Sequence, residues 1–131
     1  MARQPKTEAL SIWIGLPPRV LHPNARTHWA AKARAVKRYR LDCRLSAMAS
    51  LPPDRTGFPW PVARVKADFY FSTVRQRDED NLLASLKAAF DGLQDAGIVA
   101  NDCTIRACVG QVVSARPDRR PGVLLHVTRE Q

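Results

Sequence analysis

The chain has 131 residues, and 21 Lys+Arg against 12 Asp+Glu give it a formal net charge of +9 at pH 7. That length fits one domain around one core. With 45% hydrophobic and 25% charged residues the usage is ordinary for a globular protein, which excludes collagen, an acidic disordered tail and a disulfide miniprotein. A balance this basic points to a polyanionic partner, nucleic acid first, although a solvated basic surface would carry the same charge without any chemistry.

Along the chain, polar residues 1–8 read as a frayed start. Leu10 to Leu16 reads as a strand stopped by Pro17-Pro18. A turn-like stretch from Pro23 to Thr27 leads into a long helical pattern. In it Trp29, Ala33, Val36, Cys43 and Ala47 recur near the helical period and are expected to face the core. Lys32, Arg34, Lys37, Arg38, Arg40 and Arg44 fill most of the remaining positions. Prolines between Leu51 and Pro61 forbid regular structure there and predict a loop within the domain.

The next run alternates strictly. Ala63, Val65, Ala67, Phe69 and Phe71 lie on one face and Arg64, Lys66, Asp68 and Tyr70 on the other, the signature of a half-buried strand. After a polar connection a second helix is expected from Asp80 or Asn81. Leu83, Leu86, Phe90 and Leu93 form its core stripe, and Gly97 is its C-terminal cap. Thr104–Val113 and Val123–Thr128 read as two further strands. The order strand–helix–strand–helix–strand–strand predicts an α+β fold, a mixed α/β sandwich, in a single domain spanning residues 1–131.

Cys43, Cys103 and Cys108 are odd in number, with no Cys-x-x-Cys pair and no histidine pair at ligand spacing. They are expected to be reduced, mostly packed thiols of a cytoplasmic protein. No apolar run approaches the roughly 18 residues of a membrane span, and no apolar stretch follows the first residues as in a signal peptide.

The densest polar cluster is Arg75-Gln76-Arg77-Asp78-Glu79-Asp80-Asn81. In an extended backbone Asp78 and Asp80 point the same way, offering two hard oxygen ligands for Mg²⁺ at the mouth of a helix. Helix capping and the helix dipole explain one such acid, but not three acids and an Asn in four positions. Asp102, in the loop after the second helix, is a third candidate ligand and equally a turn residue. Lys87 lies seven residues beyond Asp80, about two turns of a continuous helix, and four before Asp91, with which it can pair. Its functional reading is a cation beside a scissile phosphate. No Ser/His/Asp or Cys/His order and no phosphate-binding glycine loop is present. Carboxylates and a lysine in a basic protein fit metal-assisted phosphodiester hydrolysis.

Three segments together resemble the RusA family of Holliday junction resolvases, small phage and prophage endodeoxyribonucleases. They are Leu16-Pro17-Pro18 with Asn24, Trp29 and the basic helix containing Lys37 and Tyr39; Arg77-Asp78-Glu79-Asp80-Asn81 running into Leu86-Lys87-Ala88-Ala89-Phe90-Asp91-Gly92-Leu93; and Ala96-Gly97-Ile98-Val99-Ala100-Asn101-Asp102 with Ile105. They span residues 16–105 in the family's order. The resemblance implies a homodimer that resolves four-way DNA junctions by paired nicks, using Mg²⁺ with Mn²⁺ as a substitute. Such an enzyme serves recombination and repair near the nucleoid of a bacterial or phage-infected cell. It implies Asp78, Asp80 and Asp102 as metal ligands and Lys87 as the catalytic lysine, although the founding enzyme's lysine stands about one turn earlier. Asn101 stands where many relatives carry a second Asp. Arg34, Lys37, Arg38, Arg75 and Arg77 are the expected DNA contacts. The alternatives are a non-catalytic DNA-binding or architectural protein and an inactive RusA-like homologue.

Overall fold

A computed structural model describes residues 7–73, 77–114 and 120–130. Four strands, β1 (Ala9–Ile14), β2 (Ala63–Phe71), β3 (Ile105–Ser114) and β4 (Gly122–Arg129), form one mixed sheet in the order β1-β4-β2-β3. The β1–β4 and β4–β2 pairs are antiparallel and β2–β3 is parallel. Three helices complete the fold: α1 (Trp29–Ser50), α2 (Glu79–Ala84) and α3 (Lys87–Asp95). The chain is the mixed α+β domain that the element order predicts.

Period-two patterning decides which face of the sheet is covered. Leu10, Ile12 and Ile14 of β1, Val65, Ala67 and Phe69 of β2, and Val123, Leu125 and Val127 of β4 are all buried. Register aligns them in rows, Ile12 opposite Leu125 and Leu125 opposite Ala67. The alternating Ser11, Trp13, Arg64 and Lys66 are exposed. α1 lies against β1 and α3, burying Tyr39, Cys43 and Ala47. The Tyr39 hydroxyl donates to the Gly15 carbonyl at 2.6 Å, tying the helix to the chain just before Pro17-Pro18.

Four expectations need correction. Trp29, placed in the core by periodicity, is 76% exposed at the first position of α1, where little of it is covered; Ala33 is exposed too. Tyr39 takes the buried position on that helix. The second helix is two, broken at Ser85-Leu86, where the Leu86 N–H bonds the Leu83 carbonyl in a 3₁₀-type turn and the Ser85 hydroxyl bonds the Leu82 carbonyl. Of the thiols, Cys43 is buried and Cys103 and Cys108 are exposed. Finally, Glu8, within the expected frayed start, accepts the Arg129 N–H at 2.9 Å; residues 1–6 lie outside the described residues. Gly97 caps α3 as expected, with φ +88°.

α3 approaches α1 unusually closely at Gly92. A Cβ there would stand 2.7 Å from the Arg40 carbonyl and 3.0 Å from the Cys43 Cβ. Ala normally favours a helix over Gly by up to about 1 kcal/mol. Gly92→Ala is nevertheless expected to destabilise by about 1–3 kcal/mol, because two backbones must separate. Thermal unfolding checks this: a Tm several degrees below wild type is expected, and a rise would contradict the close approach.

On the open face Asp68 is buried opposite a β-bulge between β2 and β3. Its carboxylate accepts the Gln111 N–H at 2.8 Å and meets His126 Nε2 at 2.8 Å. Burial alone would raise its pKa, but the Gln111 amide and the His126 ring outweigh it and hold the carboxyl below the usual aspartate value. A depressed carboxyl contributes stability above its unfolded pKa of about 3.9 and loses it as pH falls through the folded value. Asp68→Ala is expected to cost about 2 kcal/mol at pH 7 and to flatten the acid limb of the stability curve. Denaturant titrations between neutral pH and pH 3 measure both effects.

Candidate functional site

The sequence-predicted residues fall into two neighbourhoods set by α2 and α3. At the start of α2, Asp78 is extended (φ −78°, ψ 119°) and caps the helix, its Oδ1 accepting the Asp80 N–H at 2.9 Å. Glu79 and Asp80 are already in the first helical turn. The extended arrangement that would turn Asp78 and Asp80 the same way therefore ends at Asp78. Capping was the stronger local demand.

Asp78 stands at a cleft of about 900 Å³. One wall is the segment from Leu16 through a 3₁₀ turn (Arg19–Leu21) to Ala25; the other is the end of β2, with Phe69 and Phe71, and Leu82 of α2. The Arg77 guanidinium lies 3.6 Å over the Phe71 ring, and its Nη1 donates to the Thr73 carbonyl at 3.3 Å.

The second neighbourhood joins α3 to the loop that follows it. The Lys87 ammonium donates to Asp91 Oδ1 at 2.9 Å and also to Asp102 Oδ2. Asp102 opens a 3₁₀ turn (Asp102–Thr104) that Asn101 caps by accepting the Cys103 N–H at 3.0 Å. The Asp102 N–H in turn donates to Gln94 Oε1 at 2.9 Å. Fifteen residues thus return the chain onto its own lysine. Lys87 holds the Asp102 carboxyl below the ordinary aspartate value, chiefly by its hydrogen bond, and Asp102 in turn raises the lysine.

Arg40 of α1 extends this network. Its Nε and Nη2 donate to the two oxygens of Asp95 at 2.6 and 2.8 Å, and Nη1 lies 4.0 Å from Asp91. Bidentate pairing raises the guanidinium and lowers Asp95, in each case mainly through that hydrogen bond. Arg40 and Asp95 were not candidates in the sequence. Residues 55 positions apart carry no local signal of pairing. Arg44 also lowers Asp95 through its charge, so three cations, Lys87, Arg40 and Arg44, face the three carboxylates of Asp91, Asp95 and Asp102.

Among the expected DNA contacts, Arg34, Lys37 and Arg38 are exposed on α1, and Arg38 pairs with Asp42 at 3.3 Å. Lys37 also borders a groove of about 570 Å³ with Arg40 and Arg44. Arg77 is at the cleft, and Arg75 lies outside the described residues. Among the described residues no three His, Cys, Asp or Glu side chains are grouped to hold one metal ion. No described helix is long and apolar enough to cross a membrane.

No model of a known protein family matches the chain. A protein of Xylella fastidiosa strain Temecula1, described only as uncharacterized, is 34% identical over 89 residues, 66% of this chain and 56% of that protein. The chain thus matches little more than half the length of that relative.

Lys87→Met keeps the length of the side chain and removes its charge. In this variant the Asp102 carboxyl is expected to titrate at higher pH than in wild type, as followed by carboxyl NMR. Identical titration in both proteins would mean that the contact does not form in solution.

Proposed function

We propose that the chain is a structure-selective endodeoxyribonuclease that nicks branched DNA, four-way junctions in the first instance, as a homodimer. The observation that carries this reading is the contact of Lys87 with Asp102, which brings together the lysine and the third acid singled out by the resemblance. Asp78 beside a substrate-sized cleft and the exposed cations of α1 support it further. Paired incision of a junction of approximate twofold symmetry calls for two sites related by a twofold axis. Backbone phosphates are the natural partners of Arg34, Lys37 and Arg38.

Magnesium, with manganese in its place, is the ion this reading carries. Hard carboxylate oxygens suit it, but the three acids do not group around one ion as they stand, and Asp102 already takes the Lys87 ammonium. No step is derived through the ion. The chain's own residues supply the rest: α1 holds phosphates, Lys87 places a cation where negative charge develops on a phosphate oxygen, and Asp91 and Asp102 aim that cation.

A second reading, a non-catalytic DNA-binding protein, draws on the capping role of Asp78, which gives that acid a structural purpose without chemistry. Nicking of a synthetic four-way junction separates the two. On the nuclease reading Asp80→Asn abolishes ion-dependent nicking while junction binding survives or tightens, and Lys87→Ala slows nicking by roughly 100-fold. Undiminished nicking by Asp80→Asn would reject the site. Wild-type protein that binds junctions but never nicks them, with Mg²⁺ or Mn²⁺, would establish the second reading.

A further inference from the structure

We propose that the cleft beside Asp78 receives a single unpaired nucleotide, so that the protein recognises a branch point by an unstacked base as well as by backbone charge. The proposal deepens the nuclease reading and rests on it only for the source of the nucleotide. At about 900 Å³ the cleft lies in the size range of small-molecule sites, about 300–1,000 Å³.

Its lining matches a nucleotide part by part. The floor is apolar, with Phe69 and Leu82 buried beneath it. The Arg77 guanidinium covers the Phe71 ring, 3.6 Å above it, and a guanidinium plane of this kind is itself a surface on which unpaired bases stack. Arg19 faces the same space from the 3₁₀ turn and supplies a second cation for the phosphate. His22 Nδ1 accepts the Asn24 N–H at 3.2 Å, which leaves the proton of the neutral ring on Nε2 as a donor to an acceptor oxygen.

The chain that leads into the wall carrying Arg19 and His22 is tied to α1 by the Tyr39–Gly15 hydrogen bond. Extruding a base costs least where it is already unpaired, as at a branch or bulge, and a pocket of this kind converts that difference into selectivity.

The test compares four-way junctions that carry one extra thymidine at the branch point with junctions in which that residue is abasic, by fluorescence anisotropy without divalent ions. Wild type is expected to bind the thymidine junction roughly tenfold more tightly. Ser72→Trp, which fills the cleft from an exposed position, and Arg19→Ala are each expected to erase that preference while circular dichroism and Tm stay as in wild type. Equal affinity of wild type for both junctions overturns the proposal, as does a preference that survives Ser72→Trp. Free dTMP that displaces the junction at micromolar concentration also overturns it, in favour of a mononucleotide site. Nicking is scored separately: base preference without nicking leaves the cleft assigned and defeats the nuclease reading, whereas nicking without base preference does the reverse.

Discussion

The close approach of α3 to α1 at Gly92 governs the geometry of everything else. It allows the Arg40 carbonyl to lie where any side chain at position 92 would project. With the helices that near, the Arg40 guanidinium reaches Asp95 and Asp91 across the seam. Those two acids lie on α3 four residues apart, on one face. The helix that presents Lys87 is therefore fixed against the one that presents Arg34, Lys37 and Arg38. A small residue at one position sets the spacing between a catalytic candidate and its prospective phosphate contacts.

Charge pairing around α3 is arranged to orient groups more than to stabilise the fold. Lys87 and Arg40 are well exposed, so their ion pairs are solvent-screened and contribute little to stability. Their geometric effect is larger. Asp91 receives Lys87 from its own helix and approaches Arg40 from the next, while Asp102 is held both by Lys87 and, through its backbone N–H, by Gln94. The ammonium thus has a defined direction at the surface. By contrast Asp68 is buried, and there the same kind of pairing bears on stability.

What the sequence reveals follows from how local each cause is. β2 was legible at both ends because strict alternation has no competing explanation, and Gly97 because only glycine readily takes its φ. The Lys87–Asp91 pair was legible as a four-residue spacing. Trp29 was misplaced because periodicity does not say which turns of a helix are covered by a neighbour. The break at Ser85-Leu86 was hidden because the apolar spacing continues through it, while a hydroxyl bonding the Leu82 carbonyl competes with the helix locally. Asp68 reads as an ordinary outward residue of an alternating strand. Its burial depends on a bulge 43 residues away, which nothing near Asp68 announces.

The placing of Asp78 at the start of α2 and Lys87 at the start of α3 has a consequence for any reaction at this surface. Asp78 and Lys87 are nine residues apart, and a straight helix would separate them by about 13 Å along its axis. On that scale a ligand that met both would lie along α2. The break at Ser85-Leu86 makes Asp78 and Lys87 the starts of two separate helices. A strand of nucleic acid is long enough, with one residue in the cleft beside Asp78 and a later phosphate at Lys87. On the nuclease reading, then, a strand laid along α2 is the substrate that unites the two halves of the site.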